Sequence, residues 1–279
     1  MSALPVTASA PASLPVGTLL REWRQRRRLS QLDLAGDAEI STRHLSFVET
    51  GRSLPSREMV LRLAERLEVP LRERNHLLTA AGYAPMFRER RLDDPALAAA
   101  REAVELILRG HEPHPALAVD RHWTLVSYNR MVPLLLAGMP AELTRAPLNV
   151  LRLSLHPQGL APRILNLAQW RAHLFARLRQ QIAVSGDPGL VALLEELQTY
   201  PAPAGPAPDA PHADLGVVVP LQLATSAGTL SLISTTTVFG TPVDITLSEL
   251  ALETFFPADA ATAQALRRLG DGQAPAEPA

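Results

Sequence analysis

The chain has 279 residues, of which 47% are hydrophobic, and this is enough for two domains with cores of their own. It contains no cysteine, which excludes disulfides, thiol catalysis and cysteine-ligated zinc. The net charge of -1 hides an asymmetry: residues 16–91 contain 15 Arg against 10 Asp or Glu, whereas residues 92–279 contain 12 against 18. A basic N-terminal part followed by an acidic remainder is typical of a nucleic-acid-binding domain joined to a domain with another function.

The ends of the chain and its apolar runs predict neither export nor membrane insertion. The longest apolar run, around residues 132–137, is far too short to cross a bilayer. Residues 1–15 are rich in Ala, Pro and Ser but lack the basic and apolar regions of a signal peptide, so we expect a disordered tail there. We expect a second disordered tail at residues 271–279. With no cysteine present, these features favour a cytoplasmic protein that does not bind membranes.

Apolar spacing and capping residues predict five helices near the start of the chain. The second and third helices face each other across a tight turn, which is the arrangement of a helix-turn-helix motif. Ser30 and Ser41 are suited to cap the starts of these two helices, and Gly51 is suited to end the second of them. Residues 16–87 are therefore predicted to form an all-α helix-turn-helix bundle, with helices at residues 16–28, 31–38, 42–49, 57–67 and 71–81.

A spaced pattern of residues marks this motif. It reads Gln-x-x-Leu-Ala-x-x-x-x-Ile-Ser over residues 31–41 and Glu-x-Gly-Arg-x-x-Pro-Ser over residues 49–56. The pattern resembles the lambda-repressor-like (XRE) DNA-binding family. One position departs, because this family usually has Gly before Ile40, where the turn needs a left-handed backbone, and this chain has Glu39. A non-glycine residue there costs about 1 kcal/mol, so we expect a slightly weakened turn.

The leading end of the third helix carries the residues best suited to read DNA in the major groove. Arg43 can form a bidentate contact with guanine O6 and N7, worth about 1–3 kcal/mol of discrimination between bases. Phe47 is open to two interpretations, a core residue or a contact to DNA. The resemblance implies base contacts from residues 42, 43, 46 and 47, a phosphate contact from residue 31 and backbone contacts from the loop at residues 52 and 53. The candidate DNA-binding residues are Gln31, Ser41, Thr42, Arg43, His44, Ser46, Phe47, Arg52 and Ser53.

The second domain is expected to begin near residue 92 and to end near residue 270. Its pattern predicts helices around one antiparallel sheet, an α+β domain. On its longest helix we place Arg171, Arg177 and Arg179 on the outer face, and we expect the Pro-rich stretch 201–214 to be a mobile loop. The predicted helices cover residues 95–109, 129–136, 149–155, 162–184, 188–200 and 259–269. The predicted strands cover residues 116–119, 123–127, 217–225, 229–239 and 247–256.

Three fragments of this domain are similar to the ligand-binding domain of MmyB-like regulators: residues 120–129, residues 151–170 and the hairpin that leads to Phe239-Gly-Thr-Pro242. The resemblance implies a PAS-like fold with a cavity for a small apolar ligand, such as a fatty acid, and no other cofactor. A fatty acid needs apolar walls and one cation or donor for its carboxylate. Asn129 also suits a helix cap, Arg163 the surface, and Trp170 and Phe239 the core. The candidate ligand contacts are His122, Asn129, His156, Arg163, Trp170 and Phe239.

The motifs of common enzyme classes are missing from the sequence. It has no Gly-x-Ser-x-Gly elbow, no Gly-rich phosphate loop and no His-Glu-x-x-His motif. His111 and His114 are three residues apart, but Pro113 interrupts any helix that would align them on a metal. We therefore expect a DNA-binding transcriptional regulator rather than an enzyme, with a C-terminal domain that senses a small apolar ligand.

The oligomeric state and the role of the C-terminal domain follow from general considerations. One recognition helix covers too few base pairs for genomic specificity, so we expect a homodimer on an operator that is an inverted repeat in double-stranded DNA. In the alternative interpretation, the C-terminal domain is a dimerisation or protein-interaction module that binds no small molecule.

Overall fold

The structure, a computed structural model, describes residues 14–201, 219–240 and 244–272. The tails expected at residues 1–15 and 271–279, and the Pro-rich loop 201–214, fall almost entirely outside these ranges. The chain divides into two compact units between Arg88 and Glu89. Within the described residues, no helix combines the length and apolar character that crossing a membrane requires.

The first unit is a bundle of five helices, as the sequence predicts. The hydroxyls of Ser30, Ser41 and Ser56 each accept a hydrogen bond from the backbone N–H three residues later, so they cap α2, α3 and α4. Leucines from all five helices fill one core, among them Leu20, Leu34, Leu45, Leu63 and Leu77, none more than 1% exposed. The helices are α1 Val16–Arg26, α2 Gln31–Asp37, α3 Thr42–Glu49, α4 Arg57–Arg66 and α5 Leu71–Ala80.

All five helices end in the same way. The second residue after each helix has a left-handed backbone, with φ between 49° and 85°, and the N–H of the next residue reaches back to the carbonyl five residues earlier. After α2, the left-handed residue is Glu39 (φ 56°), and Ile40 N donates to Ala35 O at 2.9 Å. The expected left-handed turn at this position is therefore present without glycine. The five left-handed residues are Arg28, Glu39, Gly51, Glu68 and Gly82.

A buried ion pair joins α1 to the end of α3. Arg24 Nε lies 2.7 Å from Glu49 Oε1 and the second guanidinium contact is 2.9 Å, with the two side chains 11% and 1% exposed. Gln31 Nε2, from α2, donates to the same carboxylate at 2.8 Å. Burial alone would raise the pKa of Glu49, but the hydrogen bonds from Arg24 and Gln31 outweigh it and lower that pKa. One carboxylate thus connects three helices.

The second unit is an α+β domain, as predicted, built on a five-stranded antiparallel sheet. The strand order is β2-β1-β5-β4-β3. The strands are β1 Ala116–Val119, β2 Leu125–Tyr128, β3 Leu221–Thr225, β4 Gly228–Val238 and β5 Ala251–Pro257. The helices are α6 Ala98–Gly110, α7 Met131–Leu135, α8 Ala141–Thr144, α9 Val150–Leu155, α10 Leu167–Ser185, α11 Pro188–Thr199, α12 Ile245–Ser248 and α13 Ala260–Asp271.

Both faces of this sheet are covered at β1, where all four residues are buried. Leu117 and Val119 point into the larger core, which is shared by the strands and by α7, α9, α10, α11 and α13. Ala116 and Ala118 point the other way, into a smaller cluster with Val104 and other residues around α6. The sequence of β1 is therefore a continuous apolar run and not an alternation of apolar and polar residues.

Three predicted boundaries in this unit are corrected by the structure. The strand expected at residues 123–127 begins only at Leu125, because Trp123 has a left-handed backbone with φ 66°. The helix expected from residue 162 begins at Leu167, because Ala161–Arg163 forms a 3-10 turn and Ile164 pairs with β3. The strand expected from residue 247 begins at Ala251, since Ile245–Ser248 forms a short helix capped by Asp244.

We expect Glu39→Gly to stabilise the first unit by about 1 kcal/mol, because glycine adopts the left-handed backbone without steric strain. The matched control is Glu65→Gly, an exposed position inside α4, where glycine should destabilise by about 1 kcal/mol. Urea denaturation, with hydrogen exchange of α1 to α3 as the readout, measures both changes. A loss of stability in Glu39→Gly would contradict the assignment.

We expect Glu49→Ala to destabilise this unit by about 3–5 kcal/mol, because it leaves the buried Arg24 without its counterion. Glu73→Ala, which removes the exposed pair with His76, should change stability by less than about 1 kcal/mol. Because the pKa of Glu49 is lowered, its contribution is present above the ordinary glutamate value of 4.5 and disappears as the pH falls through the lowered pKa. Unfolding measured at pH 7 and at pH 3 tests this, and equal losses in the two variants at pH 7 would contradict it.

Candidate functional site

The first candidate site is the outward face of α3. Leu45, Val48 and Glu49 point inward and fix the rotation of the helix, which leaves its N-terminal turn facing out. Ser41 and Arg43 are exposed. The other predicted base-reading residues are half-buried: Thr42, His44, Ser46 and Phe47. The predicted residues of α3 therefore extend from its N-cap to its sixth residue, and none of them is buried.

Phe47 lies outside the hydrophobic core of the first unit, which decides against its interpretation as a core residue. The guanidinium carbons of Arg43 and Arg52 lie 5.3 Å and 5.9 Å from the centre of its ring. Such cation–π contacts hold a charged group over an aromatic face. Both arginines therefore lie against the ring of Phe47.

The remaining predicted DNA contacts lie at the start of α2 and after α3. The side-chain amide of Gln31 donates to Glu49, so this residue also supports the bundle. In the loop after α3, the N–H groups of Arg52 and Ser53 both donate to the carbonyl oxygen of Phe47, at 2.8 and 3.1 Å. The loop is therefore anchored to the helix that precedes it. The DNA contacts assigned to the nine residues stay predictions.

The second candidate site is a cavity of about 110 Å³ in the second unit. Its wall is almost entirely apolar and includes side chains of the sheet and of α7, α9 and α10. For scale, an apolar cavity of about 150 Å³ holds benzene, whereas drug-sized ligands take about 300–1,000 Å³. Characteristic wall residues are Leu117, Trp123, Leu151, Trp170, Leu174 and Leu223.

Two charged side chains reach this wall, and they bind each other. Arg177 contacts both carboxylate oxygens of Glu253, at 2.9 and 2.5 Å, and the side chains are 20% and 4% exposed. Thr236 bonds to both partners, and the guanidinium carbon lies 4.5 Å from the centre of the Trp123 ring. The sequence-based placement of Arg177 on the outer face of its helix is therefore wrong.

A signal for this pair is present in the sequence in hindsight. Arg177 follows Trp170 by seven residues and Leu174 by three, and this spacing puts it on the apolar face of α10. Glu253 is two residues from both Ala251 and Phe255, so all three lie on one face of β5, and the two apolar residues pack against the larger core. A charged residue in an apolar register on each of two elements suggests a buried ion pair, but neither element alone identifies its partner.

Two serines, Ser154 and Ser234, are also among the lining residues. Trp170 Nε1 donates to Ser154 Oγ at 3.0 Å, and both side chains are buried. Among the described residues, the hydroxyl hydrogen of Ser154 has no acceptor, and the hydroxyl of Ser234 on β4 has no side-chain partner. The wall therefore contains hydrogen-bonding capacity that the protein does not use itself.

Of the six predicted ligand contacts, Trp170 is the one that lines this cavity. Asn129 does not, and its amide is fully used in holding the chain together. Its oxygen accepts from Ala116 N and Met131 N, and its nitrogen donates to Leu108 O and His114 O. No hydrogen-bonding position of this side chain is left for a ligand.

The other four predicted contacts lie away from the cavity wall and have other partners. His122 Nε2 lies 2.9 Å from Asp187 Oδ2, and Arg163 Nε donates to Ala224 O at 3.1 Å. The ring of His156 packs against Tyr200, and Phe239 packs against the small cluster around α6. The resemblance in sequence thus pointed to segments that contribute to the cavity wall, but mostly to residues within them that have structural partners instead.

In the described part of the chain, no group of three or more His, Asp or Glu side chains could hold a metal ion. His111 Nε2 lies 3.0 Å from the carbonyl oxygen of Phe255, and its ring contacts His114 and Phe256. Burial, with the nearby His111 and Arg267, lowers the pKa of His114. This histidine pair therefore helps to attach the end of β5 to the chain after α6.

Comparisons with known proteins match the two units to two different family models. A family model described as a helix-turn-helix domain matches residues 15–77. A second model, the MmyB-like transcription regulator ligand binding domain, matches residues 100–269, more than half of the chain. A protein of Methanoculleus marisnigri, whose name places it among HTH-type transcriptional regulatory proteins, is 33% identical over 132 residues. That match covers 44% of this chain and 42% of the relative, so the chain spans less than half of that relative's length. The chain belongs to the family of transcription regulators that have an MmyB-like ligand-binding domain, here preceded by a helix-turn-helix domain.

Proposed function

We propose that this DNA-binding regulator binds a small apolar ligand in the cavity of its second unit, and that the ligand changes its affinity for its operator. The observation that carries the proposal is the cavity itself, which is apolar over nearly all of its wall and has only a few polar groups. A ligand that binds one state of the regulator better than another shifts the balance between the two states.

The size of the cavity limits the ligand. A space of about 110 Å³ is somewhat smaller than the cavity that holds benzene, but it is not fully enclosed, so it suits a short alkyl chain or a single ring that extends toward the opening. A fatty acid, which the family resemblance implies, belongs to this apolar class, but a long chain requires the cavity to enlarge. The proposal therefore covers compact apolar compounds first.

At the DNA end, we propose base recognition by Arg43 and backbone contacts by Arg52, in a homodimer on an inverted repeat. Arg43 is exposed on the leading turn of α3, and its contact with Phe47 limits the directions that its side chain takes. A dimer doubles the base pairs that are read, which a single recognition helix needs for specificity.

We expect Arg43→Ala to relax base preference at one position of each half-site, with about 1–3 kcal/mol less discrimination there. Arg52→Ala should weaken binding to all sequences similarly and lower the salt dependence by about one counterion. Arg66→Ala, an exposed arginine near the end of α4, serves as the control. Selection from a random DNA library, followed by anisotropy titrations at two salt concentrations, measures these changes. Equal losses on every sequence from the first two variants would contradict the assignment of α3.

We expect Leu174→Phe to fill the cavity and abolish ligand binding while the fold persists, because space for the larger side chain is already present. Leu178→Phe, one turn later on α10, is the control. Leu178 is fully buried away from the cavity wall, so overpacking should destabilise the protein by about 1–3 kcal/mol.

Mass spectrometry of organic extracts from the purified full chain shows whether each variant retains a ligand. A compound that is stoichiometric in the wild type and lost in Leu174→Phe supports a sensor. Operator affinity measured before and after extraction then shows whether the compound changes DNA binding. Empty extracts and an operator affinity that no added apolar compound changes would contradict it. Those results would favour a second unit that serves only in dimerisation or protein interaction.

A further inference from the structure

We propose that the cavity selects an uncharged ligand with a hydroxyl or carbonyl oxygen, bound by the hydroxyl of Ser154, and that it discriminates against carboxylates. This inference rests on the proposed function, because it concerns the ligand of the same cavity. It restricts the chemical class of that ligand, and it disfavours the fatty acid anion that the family resemblance implies.

The wall of the cavity carries no net charge from the described residues. Of these, Arg177 and Glu253 are the ionisable side chains that line the cavity, and their charges cancel. The guanidinium contacts both carboxylate oxygens, and Thr236 bonds to the pair from the side. The arginine that would attract an anionic ligand is therefore already neutralised from within the protein.

An anionic group placed against this ion pair would disturb it. A ligand carboxylate there would either displace Glu253 from Arg177 or lie beside a carboxylate that is 4% exposed. Displacement leaves Glu253 buried and without a counterion, which is strongly unfavourable. Coexistence puts two like charges into one apolar site, which raises the pKa of one of them until it is protonated. In both cases the carboxylate binds more weakly than an uncharged analogue of the same shape.

The hydroxyl of Ser154 remains available to a ligand. Its oxygen accepts from the indole N–H of Trp170, which holds it in a buried position. Its hydrogen has no acceptor among the described residues and is free to donate to a ligand oxygen. Ser234, on β4, adds a second hydroxyl to the same wall. These two hydroxyls suit an alcohol, an aldehyde, a ketone or an ester better than an ion.

The test uses the full chain and three probes that share one ring: benzyl alcohol, benzoate and toluene. Calorimetric titration at pH 7.5 should give an affinity for benzyl alcohol at least tenfold higher than for benzoate and several-fold higher than for toluene. Ser154→Ala should lower the affinity for benzyl alcohol to that for toluene and leave toluene binding unchanged.

A second variant removes the negative charge from the cavity wall, so the preference for an uncharged ligand should be reversed. Glu253→Gln keeps the shape of the side chain but leaves the cation of Arg177 uncompensated, so benzoate should gain at least tenfold while benzyl alcohol changes little. Asp187→Asn, which alters a carboxylate outside the cavity wall, is the matched control and should change neither affinity.

The outcomes separate this inference from the proposed function. Binding of benzoate as tight as that of benzyl alcohol to the wild type overturns the inference and leaves the cavity as a ligand site. Toluene and benzyl alcohol bound equally, with no effect of Ser154→Ala, also overturn it. No binding of any of the three probes overturns both the inference and the proposal that the cavity takes a compact apolar ligand.

Discussion

The first unit depends on a buried ion pair between Arg24 and Glu49. Glu49 is the last residue of the recognition helix, and its carboxylate accepts bonds from α1 and from Gln31 at the start of α2. The apolar core pulls these helices together, but only directional bonds fix how they cross. Donors on two sides of the carboxylate compensate for the water that it loses on burial, so Glu49 stays charged inside the bundle.

The second unit repeats this chemistry in a different place. Arg177 and Glu253 are also a bidentate buried pair, but they lie on the wall of a cavity rather than between packed helices. In the first unit the pair positions α3, the helix proposed to read DNA. In the second unit, the pair leaves two opposite charges held against each other on the wall of a cavity. Similar side chains thus fix how helices pack in one unit and how a cavity wall is charged in the other.

The sequence predicts features whose causes are local, and it fails where the causes are distant. Caps at Ser30 and Ser41 and the end of α3 at Gly51 depend on a few neighbouring residues, so the five helices and the α+β class were predictable. The partner of Arg177 lies 76 residues away on another element, and no local pattern could reveal it. Asn129 was misleading for the same reason, because its four bonds reach three separate segments.

The fluorescence of the tryptophan side chains can report on the cavity without an added label. Of the three in the chain, Trp123 and Trp170 line the cavity, whereas Trp23 is packed in the helical bundle. Trp123 lies against the guanidinium of Arg177, and the indole N–H of Trp170 donates a hydrogen bond to Ser154. Emission from these two should respond to whatever enters that space, while the third gives an internal reference. Occupancy of the cavity can therefore be followed in the unlabelled protein, at the same time as its encounter with DNA.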